Sequence, residues 1–181
     1  MYQSLANFTL PNGFRGRSAL VVQFWWIVQA SIFRLSPQFA YRFRASILRF
    51  FGAKVGRNTK IRPTVKVTYP WKVSIGDYSW IGDDVVLYSL GEIDIGANSV
   101  VSQRSYLCAA DHNYVDSTFP IQGAKISIGP EVWVAADVFI APGISIGKAA
   151  VIGARSSVFS DMPEGMLCFG HPCAPVRPRI V

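Results

Sequence analysis

The sequence predicts an all-β fold, a triangular parallel β-helix of hexapeptide repeats, and three observations carry that expectation. Aliphatic residues recur at intervals of six from Val55 to Val158. Three hexapeptides form one set, and the sets begin at 55, 75, 95, 128 and 146. The aliphatic residue is repeatedly followed by a small one, as in Ile75-Gly76, Ile81-Gly82, Ile95-Gly96, Val134-Ala135 and Ile152-Gly153. An apolar residue at every sixth position fits neither the 3.6-residue period of an amphipathic helix nor one long alternating strand. It fits a prism in which each hexapeptide lays down a short strand, points its aliphatic side chain inward, and turns a corner at the small residue. Coils of this kind stack at the ~4.8 Å spacing of parallel strands. They bury a core only by stacking, so five are stable where one is not.

The elements follow in order. Residues 1–54 lie outside the repeat and form a basic, aromatic segment. Within it, 18–34 and 37–51 read as two helices, with Ser and Pro start signals and a break at Ser36-Pro37. The second is amphipathic, with Phe39, Phe43, Ile47, Phe50 and Phe51 close to one face and Arg42, Arg44 and Arg49 largely elsewhere. Such a segment either lies on an anionic membrane surface, or caps the first coil and packs on a neighbouring subunit. The longest apolar stretch, 19–33, is short of the ~20 residues that span a bilayer. Residues 55–160 form the β-helix. Its one long interval, between the sets at 95 and 128, holds an insertion over about 109–124 that protrudes as a loop. Residues 161–181 form a tail.

Charge is distributed along this plan. The first 76 residues contain twelve of the eighteen Lys and Arg and no acidic residue, whereas the remaining 105 carry six basic against eleven acidic residues. The chain has no nucleic-acid-binding motif, and its acidic second half opposes a phosphate-backbone footprint, so nucleic acid is not an expected partner. Cys108, Cys168 and Cys173 are odd in number and lack a CxxC pair, which disfavours a disulfide framework and a structural zinc site. The start shows no cleavable signal peptide. A cytoplasmic, reducing setting is expected, with peripheral contact at the inner face of the membrane as an extension of it.

With the repeat, the segment from Tyr106 to Gly165 that opens on YLCAADHNY, and the closing GHPCAPVRPR, the chain resembles the hexapeptide-repeat acyltransferases, whose fold is the left-handed parallel β-helix. The FRGRSAL stretch and the YLCAADHNY motif are similar to the colanic-acid and exopolysaccharide acetyltransferases within the sugar O-acetyltransferase group. The resemblance implies an enzyme that moves an acetyl group from acetyl-CoA to a saccharide hydroxyl, without a metal, as a homotrimer with its active site between subunits. The acceptor is nucleotide- or lipid-linked. Transfer to an amino acid or amino-sugar nitrogen is the alternative.

An alcohol is a poor nucleophile at neutral pH and needs a general base, a role that histidine suits. The chain has two histidines, and the resemblance assigns the base to His112. Cys108, four residues earlier, is the competing nucleophile. A backbone carbonyl is a better-placed partner for the imidazole than Asp111, whose side chain points to the opposite face of an extended segment. The same resemblance places coenzyme A contacts at Ala136, Ala154, Ser160 and Arg177, with Arg155 and Arg179 as further phosphate partners. It places acceptor contacts at Thr68 and, as replacements for pocket residues that fall on Gly82 and Leu90, at Asp84, Tyr88 and Glu92. Tyr114 and Asp116 reach the acceptor from the loop or simply line its solvated surface. His171 reads as structural.

Overall fold

The computed structural model describes residues 2–180. Five coils carry three strands each. The first holds β1 (Lys54–Val55), β2 (Lys60–Ile61) and β3 (Lys66–Val67), and the second β4 (Val73–Ile75), β5 (Trp80–Ile81) and β6 (Val86–Tyr88). The third holds β7 (Ile93–Ile95), β8 (Val100–Val101) and β9 (Tyr106–Cys108). A hairpin of β10 (Ala110–His112) and β11 (Ile121–Gly123) follows. The fourth coil holds β12 (Ile126–Ile128), β13 (Trp133–Val134) and β14 (Phe139–Ile140), and the fifth β15 (Ser145–Ile146), β16 (Val151–Ile152) and β17 (Ser157–Val158). The chain then adds part of a sixth turn. Met162 bridges Ile146, β18 (Met166–Gly170) pairs in parallel with β16, and β19 (Cys173–Pro178) folds back antiparallel on β18.

Corresponding strands stack into three parallel faces, β1-β4-β7-β12-β15, β2-β5-β8-β13-β16-β18 and β3-β6-β9-β14-β17. This is the parallel β-helix that the repeat predicts, in the left-handed form that the family resemblance implies. Ile61, Ile81, Val101, Val134 and Ile152 stack inside the second face, and Val67, Leu87, Leu107, Ile140 and Val158 inside the third, all within 1% of full burial.

The corners depart from the expected use of glycine. Between the first two faces, the residue with left-handed φ is the second after the aliphatic position's neighbour: Asn58, Tyr78, Asn98, Glu131 and Ala149, none of them Gly. Glycine is required for a different reason. A Cβ on Gly129 would lie 2.7 Å from the Lys148 nitrogen, and one on Gly82 2.7 Å from the Gln103 nitrogen. The next coil's backbone passes too close for any side chain, so small residues set the stacking rather than the turn.

The N-terminal helices close the open end of the prism. The first, α1 (Ala19–Val28), is capped by Ser18 and runs on through a π-helical turn to Phe33. The second, α2 (Tyr41–Phe50), begins four residues later than Pro37. Its buried side is Arg44, Ala45, Leu48 and the following Phe51, with Ile47 packed against the core, while Phe39, Phe43 and Phe50 are exposed, so the expected apolar face is divided between core and surface. The first coil has no coil before it, and its inward-row carbonyls have no ladder partner. Side chains of the helices supply one each: Arg49 Nε donates to Val55 O at 2.8 Å, Arg44 Nε to Ile61 O at 2.6 Å, and Trp25 Nε1 to Val67 O at 2.8 Å. Buried carbonyls need such partners. That need draws Arg44 to the inside.

Candidate active site

His112 ends β10, and its register is set by pairing with Ile121 across the hairpin. The hairpin rises where the third face turns into the first. Its root is tight: Gly91 lies against the backbones of Ala109 and Ala124, and Ala109 O accepts from both Gly91 N and Ala124 N.

The imidazole is held on two sides. Its Nδ1 lies 2.9 Å from the Phe119 carbonyl, and its ring stacks on the Phe119 ring at 4.2 Å with 9° between planes. A carbonyl only accepts, so Nδ1 carries the proton and Nε2 keeps its lone pair. That is the tautomer of a general base. Asp111 does not touch the ring. Its carboxylate instead accepts from the His112 backbone N–H at 2.7 Å. Phe8 of the N-terminal segment approaches the imidazole at 6.3 Å between centroids, and Ser4 N donates to Ser117 O, so this segment lies along the hairpin. Neither Phe8 nor Phe119 carries a sequence signal, because hairpin register and a threading N-terminus have no period.

Cys108 is unsuited to attack. Burial pushes its thiol pKa up, and its Sγ points at Ala110 O at 3.3 Å. A thiol so placed holds little thiolate at neutral pH.

The expected site residues fall on two edges of the prism. Thr68, Tyr88 and Cys108 form an outward row on the third face beside the His112 hairpin, and Phe159 and Ser160 follow β17 along the same edge. Tyr114 lies in the hairpin loop and is exposed. Asp84, Ala136 and Ala154 occupy the opposite edge, between the second and third faces. There Arg155 N donates to Ala136 O, which brings an exposed guanidinium residue beside both alanines. Arg177 lies exposed on β19 opposite Leu167. Arg179 is committed elsewhere, donating to Glu131 O at 3.0 Å and Ala149 O at 3.1 Å. His171 bonds Ser157 Oγ at 2.6 Å on the closing hairpin. Within one chain, therefore, His112 and the Ala136–Ala154 edge are separated by the width of the third face. Across that face run stacked or tilted aromatic rings, Tyr88, Tyr106, Phe139 and Phe159, with centroids 5.9 to 6.1 Å apart.

A cleft of about 470 Å³ opens at the root of the hairpin, lined by Asn12, Phe14, Lys72, Glu92 and Lys125 among others. Lys72 Nζ donates to Phe14 O at 2.7 Å and to Leu90 O, and burial draws its pKa down. Glu92 is the acceptor-side replacement that the sequence suggests, whereas Asn12 and Lys72 join the cleft only through the fold. Among the described residues no group of three or more His, Cys, Asp or Glu is placed to hold a metal ion.

No family model matches the chain. Its sequence is 55% identical over 178 residues, 98% of each chain, to the Escherichia coli K12 acetyltransferase WcaF, a protein named for colanic acid biosynthesis. A maltose O-acetyltransferase from Clostridium difficile superposes with a TM-score of 0.80 at 26% identity over 89% of both chains. A hexapeptide-repeat acetyltransferase from Vibrio cholerae, solved with acetyl coenzyme A, shares the fold at a TM-score of 0.81 and 22% identity, covering 92% of both. With a relative more than half identical from end to end, and with coils, hairpin and histidine in the expected order, the chain belongs to the hexapeptide-repeat acetyltransferases.

Proposed function

We propose that this chain transfers the acetyl group of acetyl-CoA to a saccharide hydroxyl in exopolysaccharide or surface polysaccharide assembly, with His112 as general base. One observation carries the reading: an imidazole whose Nδ1 is fixed by the Phe119 carbonyl, leaving Nε2 free, in a chain 55% identical to an acetyltransferase named for colanic acid biosynthesis. Nε2 takes the proton of the acceptor hydroxyl as its oxygen attacks the thioester carbonyl. The carbon–sulfur bond then breaks, and the proton passes from the imidazolium to the departing thiolate. No covalent enzyme intermediate forms.

The donor lies along the edge of Ala136 and Ala154, where small side chains leave the backbone accessible. Arg155 and Arg177 face its phosphates, and Ser160, which follows β17 on the His112 edge, meets it from a neighbouring copy. Because that edge is distant from His112 in the same chain, the site is completed by a second copy, and the working assembly is a homotrimer. Sedimentation at a mass three times that of the chain is the expected result, and a monomer that turns over at full rate would exclude a shared site. The acceptor side draws on Thr68, Asp84 and Tyr114, and the acceptor is nucleotide- or lipid-linked. The enzyme works in the cytoplasm, with α1 and α2 at the inner face of the membrane.

The test is thiol release from acetyl-CoA with a panel of nucleotide sugars, lipid-linked oligosaccharides and amino sugars. Turnover confined to hydroxyl acceptors supports the reading, and turnover confined to amino sugars replaces it with N-acetylation. Two further outcomes are expected. Phe119→Ala keeps the carbonyl but removes the stacked ring, so kcat falls by about tenfold from lost positioning, with the Km for acetyl-CoA unchanged. Cys108→Ser stays within about twofold of the unmodified enzyme, since only a nucleophilic cysteine would lose activity by orders of magnitude.

A further inference from the structure

Both faces of the helical cap are apolar, and only one is used. The inner face, with Trp25, Phe33, Leu48 and Phe51, joins the core of the first coil. On α1 the residues opposite the buried Val22 and Trp25 are Leu20, Phe24 and Ile27, spaced i, i+4, i+7, and 83%, 53% and 65% exposed. On α2, Phe43 and Phe50 form a second exposed stripe, flanked by Arg42 and Arg49. The two stripes flank the buried Phe51, whose ring centroid lies 5.5 Å from that of Phe24 and 5.3 Å from that of Phe50. A helix apolar all round is at home in a core or against lipid.

The charge around this face indicates its occupant. Lys54, Lys60 and Lys66 stand outward at the first coil, one on each side of the prism, and Arg34 and Arg42 are exposed on the cap itself. Lys60 leans back over the Trp80 ring. No acidic residue occurs before Asp77, whereas over 126–181, the far end of the prism, four acidic residues are matched by four basic ones. An apolar face with a cationic rim, on a chain whose opposite end is balanced in charge, matches a bilayer with anionic headgroups. Among the described residues no helix is long and apolar enough to cross that bilayer.

We infer that the outer face of the cap docks end-on against an anionic lipid surface, with Leu20, Phe24, Ile27, Phe43 and Phe50 entering the interface and the prism axis along the membrane normal. The cap contributes one helix layer of about 10 Å. The hairpin leaves the third coil, two rungs of ~4.8 Å above the first. His112 then stands about 20 Å above the lipid. Resting on the base role proposed above, this height selects acceptor hydroxyls several sugars away from a lipid anchor rather than on the sugar next to it.

Docking itself is read without substrate, so it stands or falls separately from the acetyl-transfer reading. The full chain is floated with phosphatidylcholine vesicles, with and without phosphatidylglycerol, alongside Phe24→Glu/Phe50→Glu and Arg34→Glu/Arg42→Glu. Unchanged melting midpoints confirm that these exposed positions leave the fold intact. The expected result is flotation with the anionic vesicles, reduced by roughly tenfold or more per phenylalanine and by about fivefold per arginine at low salt. Hydrogen exchange on the bound protein is expected to slow over 19–50 and not along the fourth and fifth coils. No flotation, flotation indifferent to the phenylalanine changes, or protection running along the coils would each overturn the inference. So would a mass that halves in Phe24→Glu/Phe50→Glu without any vesicle binding, which would assign the face to a second copy of the chain.

Discussion

Replacing His112 by Ala is expected to lower kcat by a factor of about 10² to 10⁴, the usual contribution of a positioned general base. The ring makes one hydrogen bond, to Phe119 O, and stacks on one neighbour, and the hairpin around it is held by its own backbone pairing of Ala110 with Gly123 and His112 with Ile121. The loss should therefore be confined to chemistry, with acetyl-CoA affinity and assembly state preserved. Thiol release measured beside equilibrium binding of acetyl-CoA separates the two. Equal rates in both proteins would remove His112 from the mechanism and return attention to Cys108.

Arg44→Met should be the most destabilising single change in the cap, by about 4 kcal/mol. The guanidinium has no exposed surface and donates to Ile61 O, Ser36 Oγ, Pro37 O and Gln38 O at 2.6 to 2.8 Å. Methionine fills much of the volume but leaves these oxygens buried without donors. Lysine restores the charge and not the fork, so Arg44→Lys should recover less than half of the loss. Urea midpoints for the three proteins give the comparison, and a Met variant within 1 kcal/mol of the unmodified chain, a margin typical of a neutral surface change, would show that water satisfies those carbonyls. The cap also positions residues 4–18 along the hairpin, so partial loss of activity should accompany the loss of stability.

The coils were legible from the sequence because one rule generates them. Ile81, Val101, Val134 and Ile152 occupy one row since each lies six residues after the aliphatic residue that opens its set, and the structure places them there. The N-terminal helices were legible in existence but not in orientation. Hydropathy put Phe39, Phe43, Ile47, Phe50 and Phe51 on one face and left open whether a membrane or the first coil covers it, whereas the unpaired carbonyls of the first coil draw Arg44 inward and divide that face, with Ile47 and Phe51 on the core and the other three rings outside. Hydrogen-bond need at a sheet end leaves no trace in a hydropathy profile. At the site, a backbone carbonyl was the expected partner for His112, yet its source, Phe119, depends on a hairpin register that no repeat encodes. The two edges on which the remaining site residues fall follow from counting hexapeptides. How they meet depends on contacts between copies, to which a single chain's period is blind.

The three donors that reach Val55, Ile61 and Val67 also decide how long the molecule can be. A stack of parallel coils has no intrinsic length, and each exposed rung is a template on which another chain's last rung can add. By occupying the inward-row carbonyls of the first rung with side chains, and by folding β19 antiparallel on β18 at the end of the second face, the sequence blunts both polymerisation ends. A chain lacking residues 1–53 would then be an open-ended protofilament unit, and its failure in the cell would take the form of fibres rather than of an unfolded protein.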